Sequence, residues 1–222
     1  METEKYGKYK TKKIDNLNTK CDICSKVEIV GDCQVGKSSI AKKLSKNIFS
    51  SEYIPTSGYE LYPYIIKVED KYIKFQIWDM CGNENYRPAL FNLYKNATLG
   101  ILVYSITDYK SFENLENWIT KMKENASPNN KIILLGNKVD EEEKRVVTFD
   151  EGKQLCKKYN LELFMEVSAK EGFNNPNFVD ISAINLYEEY IQLADKTDST
   201  FYNNESIALS EVNEKKRPIC CL

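Results

Sequence analysis

One run of residues has types and spacing that could do chemistry together: Gly31-Asp32-Cys33-Gln34-Val35-Gly36-Lys37-Ser38, with Ser39 directly after it. It follows an apolar run, residues 27–30, and opens a stretch patterned as helix over residues 37–46. Strand, glycine loop and helix is the setting in which G-x-x-x-x-G-K-S reads as a phosphate-binding loop. Gly31 and Gly36 let successive backbone N–H groups curl around a β-phosphate, and the helix adds its positive N-terminal end. Lys37 is then placed to reach the β- and γ-phosphates, and the Ser38 hydroxyl to ligate Mg²⁺.

Three later motifs fit the same chemistry. Trp78-Asp79-Met80-Cys81-Gly82 follows a predicted strand. A carboxylate at Asp79 can hold the outer sphere of Mg²⁺, and the Gly82 N–H can meet a γ-phosphate. Asn137-Lys138-Val139-Asp140 follows a second strand, read as buried over residues 131–135. Asp140 offers two acceptor oxygens to the N1–H and exocyclic amine of guanine, a match that adenine lacks. Ser168-Ala169-Lys170 follows a third, and its backbone can donate to the guanine carbonyl. Any one of these is an ordinary loop by itself. Four in this order, each at the end of a predicted strand, are not.

The elements that must position them follow from periodicity. Ile40, Ala41 and Leu44 form the buried stripe of the first helix. Residues 47–61 have no period and hold Pro55, Thr56 and Gly58, so a surface loop is expected. Residues 62–69 and 72–78 read as strands joined by a tight turn, and Pro63 argues that the first is an edge strand. Then come a strand over 99–106, a helix over 109–124, a strand over 131–135, a helix opened by the capping box Thr148-x-x-Glu151, a strand over 161–167 and a last helix from about Pro176. This alternation predicts an α/β fold: a doubly wound, mainly parallel six-stranded sheet with helices on both faces, its second strand antiparallel at the edge. Ligands of such sheets bind at the carboxyl ends of the strands.

Composition sets the bounds. The chain has 222 residues with 42% hydrophobic, which suits one domain with tails. We expect a flexible Lys-rich extension over residues 1–24, one domain over 25–195, and a flexible tail over 196–222. A net charge of −2 gives no general case for nucleic acid. Seven cysteines without paired spacing make no disulfide framework and point to a reducing compartment. Cys21-x-x-Cys24 is a single pair with no histidine in the chain, so two incidental thiols are expected there rather than a zinc site. No signal peptide or membrane span is expected.

From about Lys26 to Leu193 the sequence resembles a small GTPase of the Ras superfamily, and within it most closely a Rab. Besides the four motifs, Lys74-Phe-Gln-Ile-Trp-Asp79 and Leu93-Tyr-Lys-Asn-Ala-Thr-Leu-Gly-Ile-Leu-Val-Tyr-Ser-Ile-Thr107 carry the likeness. The resemblance implies a monomeric P-loop G domain that binds GTP or GDP with Mg²⁺. It implies that Phe49 packs on the guanine, that Lys138 lies along it, and that Ala169 contacts its carbonyl. Thr56 closes a first switch by ligating Mg²⁺ beside Ser38 and Asp79, and Asp79 and Gly82 open a second. An exchange factor, a GTPase-activating protein and effectors are then expected on residues 47–61 and 80–96. The ending resembles Rab tails whose paired cysteines are geranylgeranylated, here Cys220 and Cys221. That implies the prenylation machinery as a partner, attachment to the cytosolic face of an endomembrane, and work in vesicle-mediated transport.

The departures are specific. Asn83 stands where the family has the Gln that orients the attacking water, and Cys33 where Gly, Ser or Ala is usual. Residues 57–61 depart from the Rab pattern, and Cys220-Cys221-Leu222 is neither a two-cysteine terminus nor a C-a-a-X box. Hydrolysis, supported by Lys37, Gly82 and Asn83, is therefore expected to be weak. The alternative is a binding module that holds GTP, or another signalling GTPase of the superfamily with little intrinsic hydrolysis. A small-metabolite kinase is excluded by the guanine-type loop and the absence of an acceptor-site motif.

Overall fold

Strand alternation explains the two cores of the molecule. In β2 (Ile23–Val30), Val27 and Ile29 face one side of the sheet, whereas Val30 and Glu28 face the other. The first side is covered by α1 (Lys37–Lys46) through Ile40, Ala41 and Leu44, and by α5 (Phe178–Phe201) through Phe178, Val179, Ala183 and Ile184. The second is covered by α3 (Leu115–Asn125) through Leu115, Trp118, Ile119 and Met122, and by α4 (Phe149–Lys158) through Leu155. The computed structural model describes residues 8–82, 97–125, 130–173 and 178–201.

The sheet has seven strands in the order β1 (Thr11–Ile14), β3 (Tyr59–Val68), β4 (Lys71–Met80), β2, β5 (Leu99–Ser105), β6 (Lys131–Asn137) and β7 (Leu163–Val167). β2 pairs in parallel with β4 (Lys71–Met80) and β5 (Leu99–Ser105), with Val27 opposite Ile77 and Leu99. β5 continues in parallel to β6 (Lys131–Asn137), and β6 to β7 (Leu163–Val167). β5 is buried along its whole length, the signature of a parallel strand covered on both faces. β3 (Tyr59–Val68) runs antiparallel to β4. The doubly wound architecture expected from the sequence is the one observed.

Three details differ from the sequence expectation. Residues 11–14, taken as part of a flexible extension, form β1 (Thr11–Ile14), antiparallel to β3 with Thr11 opposite Val68 and Ile14 opposite Ile65. The sheet therefore has seven strands, and β3 is internal from Ile65 to Val68. What holds this segment is not an apolar period. Glu69 N–H donates to Lys10 O at 3.0 Å, Lys10 N–H to Glu69 Oε1 at 2.7 Å, and Lys13 Nζ to Ser45 O at 3.0 Å. Tyr9 also stacks edge-on against Tyr187 of α5 at 5.5 Å.

Pro63 lies beyond the reach of β1, so its missing N–H deprives no ladder. Its carbonyl accepts from Ser45 Oγ at 2.6 Å instead, which places the same residue's nitrogen on the side away from β4. The second difference is a break in the expected helix over 109–124. It divides at Asn114 into α2 (Tyr109–Glu113), capped by Asp108, and α3. Third, α5 runs on to Phe201, past residue 195 where the apolar pattern stops. The capping box at Thr148 and Glu151 forms as expected.

Candidate functional site

The carboxyl ends of β2, β4, β6 and β7 open on one cavity of about 740 Å³. Its floor is the loop after β2. Gly31 has φ +144°, and a Cβ there would lie 2.2 Å from Val103 O; Gly36 has φ +99°, and a Cβ would lie 2.2 Å from Asn137 Nδ2. Only glycine permits both the backbone angle and the approach. α1 starts immediately after Gly36, so its N-terminal N–H groups face the cavity.

Lys37 is 6% exposed and donates from Nζ to Asp32 O at 2.6 Å. Burial pulls its ammonium below the ordinary lysine pKa, and Asp79, then Cys33, Asp32 and Cys81, act in the other direction. A buried cation lined up on a loop of N–H donors calls for an anion. Gly82 closes over it: a Cβ there would stand 2.6 Å from Lys37 Nζ and 2.7 Å from Cys33 N, so only glycine can approach the loop this closely.

Beside Lys37 three oxygen donors converge. Ser38 Oγ and Thr56 Oγ1 lie 2.9 Å apart, and Thr56 Oγ1 donates to Asp79 Oδ2 at 3.3 Å. Asp79 is fully buried at the end of β4, and its Oδ1 has no hydrogen-bond partner. Burial raises its pKa, opposed by Ser38, Lys37 and Thr56. An orphaned buried carboxylate oxygen beside two hydroxyls is a hard, all-oxygen donor set, and it fits Mg²⁺. No cluster of three or more His, Cys, Asp or Glu side chains able to hold a metal occurs among the described residues.

The far end is built by β6 and β7. Asn137 Nδ2 donates to Val35 O at 2.8 Å, and its Oδ1 accepts from Ala169 N at 3.1 Å, so one amide ties the two loops. Lys138 takes φ +73° and turns the chain so that Asp140 enters the cavity wall. Asp140 Oδ1 accepts from Ser168 Oγ at 2.7 Å, and Lys170 Nζ is 3.7 Å from Oδ2. The hydroxyl fixes the carboxylate's orientation. Phe49 and Lys138 line the same cavity.

A profile of the Ras family matches residues 26–185. The chain is 37% identical to the Ras-related protein Rab-11B of Dictyostelium discoideum, over 82% of each chain. It is 40% identical to the Ras-related protein Rab-13 of Rattus norvegicus, over 67% of this chain and 73% of the relative. With the Ras-related protein RABA4c of Arabidopsis thaliana it shares 33%, over 93% and 96%.

The chain belongs to the Ras family. It is a small GTPase of the Ras superfamily, Rab-like in sequence. Of the residues expected to build a Ras-family site, Cys33, Gln34, Gly36, Lys37, Ser38, Ser39, Phe49, Thr56, Gly82, Asn137, Lys138, Asp140, Ala169 and Lys170 line the one cavity. Gly31 and Val35 support its floor from behind, as Ser168 supports Asp140 and Asp79 supports the two hydroxyls. Asp32 contributes its backbone, since its carboxylate points away to α3, where Asn114 Nδ2 and Trp118 Nε1 donate to it at 2.5 and 2.8 Å. Asn83, Cys220 and Cys221 lie outside the described residues. Among the described residues no helix is long and apolar enough to cross a membrane.

Two features escaped sequence reasoning. Trp118 reads as a core residue by its helical period, and only its indole N–H betrays a second duty. Glu28 sits inside the run read as apolar, fully buried at mid-sheet. A charge inside the otherwise apolar run 27–30 is the available signal.

Proposed function

We propose that this chain is a Rab-like molecular switch that binds GTP or GDP with Mg²⁺, hydrolyses GTP slowly, and recruits effectors at membranes in vesicle-mediated transport. The observation that carries this reading is the shared cavity with Lys37 at one end and Asp140 at the other, spanned by the Asn137 amide. A diphosphate or triphosphate fits the cationic, glycine-lined end, and a base with two adjacent donors fits the fixed Asp140 carboxylate. Lys37 and the loop N–H groups bind the β- and γ-phosphates, while Phe49 and Lys138 flank the base. Ser38 and Thr56, backed by Asp79, are the residues to hold Mg²⁺, which neutralises phosphate charge when bound.

Thr56 and Gly82 would touch the γ-phosphate, so residues 47–61 and 80–96 respond to its presence, as a switch requires. Exposed apolar side chains on the first of these segments, Ile48, Tyr53, Ile54 and Leu61, support its use by an exchange factor, an activating protein or effectors. Weak hydrolysis follows from Asn83, one methylene shorter than the Gln expected there. Cys220 and Cys221, after the basic Lys215, Lys216 and Arg217, are the candidate prenylation sites for attachment to the cytosolic face of an endomembrane.

Base recognition is the decisive test. The wild type should bind GTP far better than ATP or XTP in competition, and Asp140→Asn should lose GTP affinity and shift toward XTP, because an amide replaces one acceptor by a donor. Unchanged GTP preference in Asp140→Asn would refute this reading of the site.

A further inference from the structure

We propose that Asn114 and Trp118 are positioning residues for the phosphate loop, acting on Lys37 through Asp32; the inference rests on the nucleotide reading above. Asp32 is held at both ends of one residue. Its carboxylate accepts from Trp118 Nε1 at 2.8 Å and from Asn114 Nδ2 at 2.5 Å, and its carbonyl accepts from Lys37 Nζ at 2.6 Å. The α3 helix therefore grips the peptide that aims the buried ammonium. The two donors are spaced i, i+4, so they stand on one helical face, and the α2–α3 break at Asn114 supplies the second.

The arrangement solves an electrostatic problem. An Asp in the second position of a phosphate loop brings a negative charge beside a polyanion. Two neutral N–H donors satisfy that charge on the far side of the loop, through charge-assisted hydrogen bonds. Gly82 packs close against this peptide, since a Cβ on it would lie 2.7 Å from the Asp32 carbonyl carbon. Releasing the carboxylate would slacken the Asp32 carbonyl under Lys37 and free a negative charge near the phosphates. Trp118 is 2% exposed and its ring packs in the core, while only its N–H serves the loop.

The experiment is the release rate of fluorescent GDP from the Mg²⁺-loaded full chain, chased with unlabelled GDP. Trp118→Phe keeps an aromatic ring and deletes the N–H. It should speed release on the order of 10-fold, the size expected for losing one charge-assisted hydrogen bond. Asn114→Ala should act in the same direction. Asp32→Ala removes the acceptor, so adding Trp118→Phe to it should change release no further. A merely structural role for the ring would instead accelerate release equally with or without Asp32. Should Trp118→Phe fold poorly, half-buried Asn114 carries the same cycle. If the wild type binds no GDP, the nucleotide reading falls and this inference with it. If it binds GDP but release is unchanged in Trp118→Phe and Asn114→Ala, or is additive with Asp32→Ala, this inference alone is overturned.

Discussion

Replacing Glu28 by Gln should stabilise the protein at neutral pH and flatten the pH dependence of its stability. Glu28 is fully buried in β2, opposite Trp78 of β4 and Gly100 of β5. Its Oε1 has only a long 3.5 Å contact from Asn130 Nδ2, and its Oε2 has no partner. Burial pushes the carboxyl from 4.5 up to about 8, against the smaller opposing pulls of Lys26 and Asn130.

The sign follows from proton count. A folded-state pKa above the unfolded value makes the folded state the better proton binder between those limits. Stability is therefore greatest below about 4.5 and is lost as pH rises towards about 8. At roughly 1.4 kcal/mol per pH unit for one proton, slightly less near the folded pKa, moving from about pH 5.5 to about pH 7.5 should cost the wild type about 2.5 kcal/mol. Gln keeps the shape, carries no charge, and offers an amide donor to Asn130 Oδ1, itself buried without a partner. Urea unfolding of both proteins at saturating GDP and Mg²⁺, across that pH range, reads the difference directly. The gap in favour of Gln should widen by about 2.5 kcal/mol from the acid end to the alkaline end. Parallel pH dependences would refute the reasoning, because Glu28 would then be titrating normally.

Four further outcomes are expected. Asn83→Gln should raise single-turnover GTP hydrolysis, by up to about 10²-fold if the missing methylene misplaces the water, and Cys33→Gly should raise it less. The reverse ranking, or a wild-type rate already typical of a Rab, would defeat the argument from Asn83. Hydrogen exchange should slow over residues 47–61 and 80–96 with a non-hydrolysable GTP analogue relative to GDP; equal protection would rule out a switch there. Replacing both Cys220 and Cys221 by Ser should move the protein from the membrane pellet to the supernatant of cell lysates, since stable anchoring takes two lipid chains or one chain with a basic patch. Deleting residues 1–14 should lower the thermal midpoint by about 2–4 °C, the scale for about 1 kcal/mol in a domain of this size, because β3 loses its pairing with β1 from Ile65 to Val68. No shift would mean that β1 contributes nothing.

What could be read from the sequence was local. Gly31, Gly36, Lys37 and Ser38 announce a loop because their spacing encodes backbone angle and donor position within one turn of chain. Asp79, Asn137 and Ser168 could be placed because each follows a strand whose apolar period is plain. The residues that were missed depend on partners far along the chain. Thr11–Ile14 carries two lysines and no buried face, so only backbone pairing with Ile65–Val68 makes it a strand. Asp32 gives no hint that its carboxylate faces α3 rather than the cavity, since Asn114 and Trp118 lie more than eighty positions away. The helix break at Asn114 escaped notice because the apolar stripe from Phe112 to Met122 passes through it undisturbed.

The amide of Asn137 makes the two halves of the cavity a gauge of fixed length. With Nδ2 on Val35 and Oδ1 on Ala169, the distance between the proposed phosphate end and the proposed base end is set before any ligand arrives. A molecule that seats one end finds the other already at the correct span, so its two grips reinforce each other as in a chelate rather than simply adding. A free base or an inorganic polyphosphate gains nothing from that span. Tight retention is then reserved for molecules that carry both groups at the right separation, and loosening Asn137 would weaken the grip on each end at once.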